Sequence, residues 1–454
     1  MESMTRHFAN RVANIKFEDL PQETIQMTKQ YILDYLGVSI RGWTQKNMDI
    51  MSETLGNSAD GTKAIMLNGK KGASNSVLYS AMLNAAASHS QDFDDLHNPS
   101  IIHMACVTVP SALAVAEDEE LSGKDILAAL VAGYEAGARI GESVNPEAYY
   151  FWHTTSTCGV FSSAVTVANL KKFNTDQMVQ CLGTAGTQAA GLWEFVIDGA
   201  MSKTLHVGKA NFAGILSAKL TANGFTAAEK ILDGDKGFCR AMLTNPHWEK
   251  LTEDIKGFKI DNNSFKPFSC CKYTHPSSYA AQLLRNEQNL KLEDVEKVTI
   301  KSNRIVKQLV DNSHPKNPYG AKFSIQYCVA TMIKYGKLGI DQFVDENLNN
   351  DEIQRVMQNI EVIVDPQLDK EYTEKPDRWA VELTIACKDG KTYTKFVEYP
   401  KGDPPNPMTW DETVEKFMDL SVPVYGEEVC KKLVNLVATL DEHDNFKKAL
   451  AECF

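Results

Sequence analysis

No stretch of this 454-residue chain approaches the roughly eighteen consecutive apolar residues that a membrane helix needs. No basic segment leading into an apolar run opens it either, so neither a membrane span nor secretion is expected, and the chain reads as soluble and cytoplasmic. A basic excess is also missing. The 47 Lys and Arg face 59 Asp and Glu, for a formal net charge of -12. That balance argues against nucleic acid or an anionic lipid surface as the main partner, while leaving room for a small anionic substrate where lysines gather. The ten cysteines include no CxxC pair. Only Cys270 and Cys271 adjoin, a spacing that suits neither an internal bridge nor zinc, so the thiols are expected to be reduced and free of metal. Internal repeats and low-complexity tracts are absent.

A chain of this length exceeds what one hydrophobic core fills, which predicts two domains. Up to about residue 262 the apolar pattern has helical period. Pro21 opens a segment in which Ile25, Ile32 and Leu36 recur at helical spacing, and Ser122 to Asp125 form a near capping box ahead of 126–141. Segments 74–91, 105–119, 155–171, 176–192 and 203–222 read the same way, and the small residues of 183–191 predict close helix packing. Beyond Lys266 the period changes. Trp379, Val381, Leu383, Ile385 and Cys387 alternate before Asp389-Gly390 and a second run at 392–397, which predicts a β-hairpin with a primed turn. Further strands are expected at 295–302 and 360–364, with helices at 275–289 and 323–335. The run from Pro400 to Pro407 reads as a linker, after which Thr409 caps helices that return to the first domain. The expected fold is mainly α: a helical domain at 1–262 and 405–454, and an α+β domain at 263–404.

The densest chemistry lies between His89 and His103. His89, Asp92 and Asp95 are spaced i, i+3 and i+6, which predicts one face at a helix end, and carboxylates there oppose the macrodipole. Asp92 is therefore a candidate functional acid, with Asp94 and Asp95 read first as structural; His97 and His103 follow, the latter a candidate general acid or base. His153 precedes a hydroxyl-rich helix start, either an anion site or an ordinary run of capping residues. Lys203 and His206 fall at i and i+3 of a helix opening, where positive charge favours anion binding. Lys266, Lys272 and His275 gather before a second-domain helix as candidate carboxylate ligands, and Tyr327 is by position a core residue.

In order along the chain, Ile32-Leu33-Asp34-Tyr35-Leu36-Gly37, the Asp92 to His103 segment, His153 to Gly159, Asp198-Gly199-Ala200-Met201-Ser202-Lys203 with His206-Val207-Gly208, Cys270 to His275, and Lys322-Phe323-Ser324 resemble the MmgE/PrpD family. Its members include 2-methylcitrate dehydratase, cis-aconitate decarboxylase and iminodisuccinate epimerase. Leu96 departs from the decarboxylase pattern and Trp152 from the dehydratase pattern. The resemblance implies a large all-helical domain with a smaller α+β lid, a homodimer, and chemistry without cofactor or metal on a small di- or tricarboxylate. It implies Asp92, His103, His153, Lys203 and Lys272 as catalytic-cleft positions; Asp92, His103, His153 and Lys203 are expected to be catalytic, and His97, His206, Lys266, Lys272, His275 and Tyr327 to bind substrate. The expected activity is a lyase or isomerase that moves a proton at a carbon next to a carboxylate, by dehydration, decarboxylation or epimerisation. Two other readings are a magnesium-dependent helical isoprenoid-type enzyme and a non-catalytic carboxylate-binding protein.

Overall fold

Several helices begin where the sequence supplies a cap. In the computed structural model, which describes residues 3–58, 60–195, 200–375 and 378–454, the Ser122 hydroxyl accepts from the Asp125 amide while the Asp125 carboxylate accepts in return, and the helix runs without a break from Gly123 to Val144. Thr409 and Glu412 form the same reciprocal cap ahead of Trp410–Tyr425. The helices α1 (Met4–Ala13), α2 (Gln22–Gly42), α3 (Lys46–Leu55), α4 (Val77–Ser88), α5 (Ala105–Asp118), α6 (Gly123–Val144), the single turn α7 (Thr154–Thr157), α8 (Gly159–Leu170), α9 (Thr175–Gly186) and α10 (Ser202–Ala222) pack with the C-terminal helices Trp410–Tyr425 and Glu427–Ala438. Together they form a compact unit that ends at Asn263 and resumes at Thr409–Phe454.

The middle of this unit is α6 and α8, buried nearly throughout; α8 is largely apolar, and the charges that α6 buries are paired, Arg139 with Glu135 at 2.5 Å and Glu142 with Lys259 at 2.6 Å. The α6 backbone lies directly against side chains of α8. A Cβ at Gly133 would lie 2.0 Å from Thr166 Oγ1, and one at Gly137 2.0 Å from Ser162 Oγ, so only glycine fits. Three expectations change here. The helix read at 74–91 stops at Ser88, because the residues that follow spend their polar groups on a different backbone path. The 155–171 segment breaks at Cys158 into α7 and α8, and the 176–192 segment stops at Gly186. A small antiparallel pair, β1 (Ala64–Ile65) with β2 (Ser74–Asn75), is too short to leave a period in the sequence.

The second unit, Ser264–Met408, carries a sheet of β3 (Val295–Ser302), β4 (Ile360–Val364), β5 (Val381–Cys387) and β6 (Thr392–Val397) in the order β4-β3-β5-β6. β3 and β4 are parallel and the other neighbours antiparallel. Val381, Leu383, Ile385 and Cys387 face the core, where the helix His275–Gln288 covers β5 and β6 and Ile325–Tyr335 packs against that helix. The hairpin is as expected but its turn is not. Of Asp389 and Gly390, only Gly390 takes a positive φ (85°), and its amide donates to the Cys387 carbonyl at 2.9 Å while the Cys387 amide donates to Lys391 at 2.8 Å. This is a three-residue loop closed by a glycine bulge, not a primed two-residue turn. The run from Pro400 to Pro407 is no linker: the Gly402 amide donates to Asn406 at 2.8 Å and Asp403 is buried, since proline and glycine build tight turns as readily as they loosen a chain.

Candidate active site

Between the end of α4 and the start of α5 the chain runs through the interior without forming a helix. Irregular segments normally stay in water, where their backbone groups are satisfied cheaply. This one is buried almost throughout from His89 to His103 and is held by specific bonds. His97 and Ile102 exchange backbone hydrogen bonds at 2.9 and 3.4 Å. The Lys416 ammonium donates to the Phe93 carbonyl at 2.8 Å, lies 4.0 Å from the centre of the Phe93 ring, and pairs with buried Asp34 at 2.6 Å. Asp92 takes a left-handed φ of 53°, which aspartate tolerates better than most side chains. Because the segment is not helical, His89, Asp92 and Asp95 do not share a helix face.

The three carboxylates go to three different places. Asp92 pairs with Lys203, at the opening of α10, at 3.1 Å. Asp95 accepts from the Ala105 amide at 2.9 Å, the Tyr134 hydroxyl at 2.9 Å and the Asn263 side chain at 2.7 Å, so it caps α5, and burial pushes its carboxyl up to about 7. Asp94 turns to the histidines: its Oδ2 lies 2.7 Å from His89 Nδ1 and 3.3 Å from His103 Nδ1. Burial alone would raise the Asp94 carboxyl, but His103 and His89 outweigh it and hold it well below the usual range. Carboxylates parted in this way do not converge on one cation, as the magnesium reading requires. His89, Asp94 and Cys106 offer donor atoms within 4.8 Å of one another, yet the first two are bonded together and the Cys106 thiol donates to the His103 carbonyl at 3.3 Å. Burial also pushes that thiol up, so the set fits hydrogen bonding better than metal ligation.

Beside this group the rings stack. His89 lies 4.7 Å from His103 and 5.6 Å from His153, and His153 lies 4.9 Å from Trp193 at an interplanar angle of 14°. His153 Nδ1 and His206 Nδ1 are 3.1 Å apart, with Phe195 against both rings. The His153 amide donates to Gly191 and the Trp193 amide to Phe151, each at 3.0 Å, which fixes the two segments side by side. Burial lowers His89 to about 4 and holds His153 well below the usual imidazole range, the latter helped by His89 and Lys203. His206 is lowered by burial, then by Lys209 and Lys203. These imidazoles are neutral at neutral pH and sit in the field of a lysine.

The hydroxyls after His153 are not an anion cradle. Thr154 donates to the Ile101 carbonyl, Thr155 accepts from the His103 amide, and Ser156 donates to the Ala190 carbonyl, so they splint the His103 segment instead. His97 stands in a different set, bonded to Ser100 at 2.8 Å with its other nitrogen 3.8 Å from Glu142. In the second unit, Lys272 pairs with Asp403 at 2.6 Å, His275 Nε2 donates to the Cys270 carbonyl at 3.1 Å, and Lys266 is buried. Tyr327 is the core residue that its position predicts and not a substrate ligand: it has no exposed surface, and its hydroxyl donates to the Gln342 carbonyl at 2.6 Å. Asp198 and Gly199 lie outside the described residues. Sequence reasoning passed over Asp94 and His89 as site residues, along with Trp193 and Phe195; a buried acid among histidines was the available signal for the first two, while the aromatics left none.

The chain is similar along most of its length to known proteins. The cis-aconitate decarboxylase of Aspergillus terreus is 24% identical, over 96% of this chain and 93% of its own. That of Homo sapiens is 23% identical over 97% and 92%. The 2-methylcitrate dehydratase of Escherichia coli is 26% identical over 37% of this chain and 38% of its own. The MmgE/PrpD N-terminal domain matches residues 6–251 and the MmgE/PrpD C-terminal domain residues 268–442, and on that coverage the chain belongs to the MmgE/PrpD family.

Proposed function

We propose that this chain is a cofactor-independent lyase that acts on a small tricarboxylate, moving a proton at a carbon next to a carboxylate. The observation that carries the reading is a cluster of buried imidazoles around His103 close to the Lys203 ammonium: a group that can exchange a proton, near a cation that favours a carboxylate. Lys203 holds one carboxylate of the substrate and stabilises the enediolate-like charge that develops when a neighbouring bond breaks. His103, the most exposed ring of the Asp94 group, delivers or removes the proton. Asp92 holds Lys203 in place through their 3.1 Å pair.

Decarboxylation is the first reaction to test, because the decarboxylase relatives align over nearly the whole chain and the dehydratase relative over about a third of it. In that reaction a carboxylate leaves as carbon dioxide, its bonding electron pair passes to the remaining conjugated carboxylate, and His103 protonates the carbon. One observation favours a second reading. The His153 and His206 nitrogens, 3.1 Å apart, form a second donor and acceptor pair, which dehydration uses to protonate a departing hydroxyl and epimerisation to reach the other face of the carbon.

The test is proton NMR of the EDTA-treated protein in D2O with cis-aconitate, 2-methylcitrate and iminodisuccinate. Turnover should fall by about 10²–10⁴-fold in His103→Ala, with an unchanged circular dichroism spectrum. Near-normal turnover in a folded His103→Ala variant would remove His103 from the mechanism. Tight binding of an acid without conversion would make the chain a carboxylate-binding protein, and activity lost only to EDTA would return the metal reading.

A further inference from the structure

The Asp94 carboxylate is almost wholly enclosed, and burying such a charge is costly unless partners stabilise it. Its partners are two imidazoles that turn the same atom, Nδ1, toward the same oxygen, Oδ2, at 2.7 Å for His89 and 3.3 Å for His103. An ionised carboxylate only accepts hydrogen bonds, so His89 Nδ1, which is bonded to it, carries hydrogen; His103 Nδ1, at 3.3 Å, makes a close contact without a formed hydrogen bond, and the nearby negative charge favours a proton there as well. A neutral histidine has a single ring proton, so placing it on Nδ1 leaves Nε2 bare. The two rings differ in access: the His89 side chain is 0% exposed and that of His103 10%. The group therefore has one outlet, at His103.

We propose that Asp94 and His89 are positioning residues which lock His103 in the Nδ1-protonated tautomer, so that His103 Nε2 is the atom that exchanges a proton with substrate. His89 takes no part in the proton transfer. It supplies the imidazole hydrogen bond that lets a buried Asp94 stay ionised, and its edge-to-face contact with the His103 ring at 4.7 Å fixes that ring's tilt. The backbone serves the same end. The His103 amide is held by Thr155, the Cys106 thiol by the His103 carbonyl, and the carbonyl just before Asp94, that of Phe93, by Lys416. Loss of the Asp94 charge frees His103 to move its proton to Nε2, where it is useless as a base. Asparagine at this position can accept from one ring, but its amide presses the other toward the wrong tautomer. The inference rests on the proposed proton transfer by His103 only for its catalytic consequence; the tautomer itself is independent of any substrate.

The test uses the full-length protein labelled with 15N-histidine. In the wild type, the His89 Nδ1–H proton should appear strongly downfield, as expected for a hydrogen bond to a carboxylate, with a less shifted His103 Nδ1–H beside it, and His89→Gln should assign the first by its loss. Asp94→Asn should remove or weaken the His103 signal and lower kcat by about 10²–10⁴-fold with KM little changed, since a wrong tautomer disables chemistry more than binding. Wild-type signals of this kind support the relay even where no acid of the panel is turned over, an outcome that would count against the proposed reaction alone. A wild-type spectrum with His103 protonated on Nε2 overturns the relay, whatever the enzyme turns over. So does a folded Asp94→Asn variant with unchanged kcat. If Asp94→Asn does not fold, the wild-type spectrum still decides.

Discussion

His97 separates two meanings of a conspicuous histidine. It was a candidate substrate ligand, yet it is bonded to Ser100, and burial, assisted by the charge of Lys259, lowers it to about 3. A folded pKa below the unfolded value near 6.5 means that the unfolded chain binds the extra proton between the two values. The resulting stability is present above about pH 6.5 and is lost as pH falls, at about 1.4 kcal/mol per pH unit. Asp95 slopes the other way, because burial raises it to about 7 and its stability is lost as pH rises through that value. The wild type mixes these slopes and a single variant isolates one. Between about pH 6 and pH 4, the stability difference between wild type and His97→Gln in urea should shrink by about 1.4 kcal/mol per unit. Parallel pH curves would show that His97 titrates as an exposed residue and would return it to the substrate ligands.

At the scale of elements, what was legible in the sequence was local. Caps at Ser122 and Thr409, the alternation of β5 and the burial of its apolar face are decided within a few residues, and the structure repeats them. The path between α4 and α5 is decided by distant partners, so helical spacing misassigned its acids: Asp92 meets Lys203, and it is Asp94 that meets His103. The Asp34 of the Ile32 to Gly37 motif was likewise silent until its partner, Lys416 on the helix Trp410–Tyr425, was seen also to hold Phe93 between those two acids. Lys416→Met should cost about 3–5 kcal/mol, because it leaves the buried Asp34 charge unpaired. Asp34→Asn combined with Lys416→Met should recover most of that stability but not turnover, since the Phe93 carbonyl still lacks its donor. Thermal melts and kcat measured side by side on both variants test this. Turnover that returns together with stability would show that Lys416 acts on the fold alone.

Across the whole molecule, the chain builds its two compact units in different ways. Ser264–Met408 is continuous and encloses its own apolar core, from Phe268 through Val298 and Ile325 to Leu383. Its size falls within the usual range for a domain that folds alone. The helical unit is split, and its two pieces meet through polar groups as well as apolar ones. On α2, Lys29 reaches the Ala438 carbonyl at 2.7 Å and Asp441 at 2.5 Å, Gln30 reaches Thr413 at 2.7 Å, and Asp34 reaches Lys416 at 2.6 Å. Without 409–454 those buried groups lose their partners, a loss that usually costs more than the bonds themselves contribute. The excised 264–408 segment should therefore unfold in one cooperative transition, with near-ultraviolet dichroism from Trp379 stacked on Tyr273 at 4.2 Å. The segment ending at Asn263 should stay unfolded alone and gain helical dichroism and a cooperative melt when 409–454 is added in trans. Native-like melting of the N-terminal segment by itself would show that the C-terminal helices only cover a finished core, and that the polar groups of α2 do not depend on them.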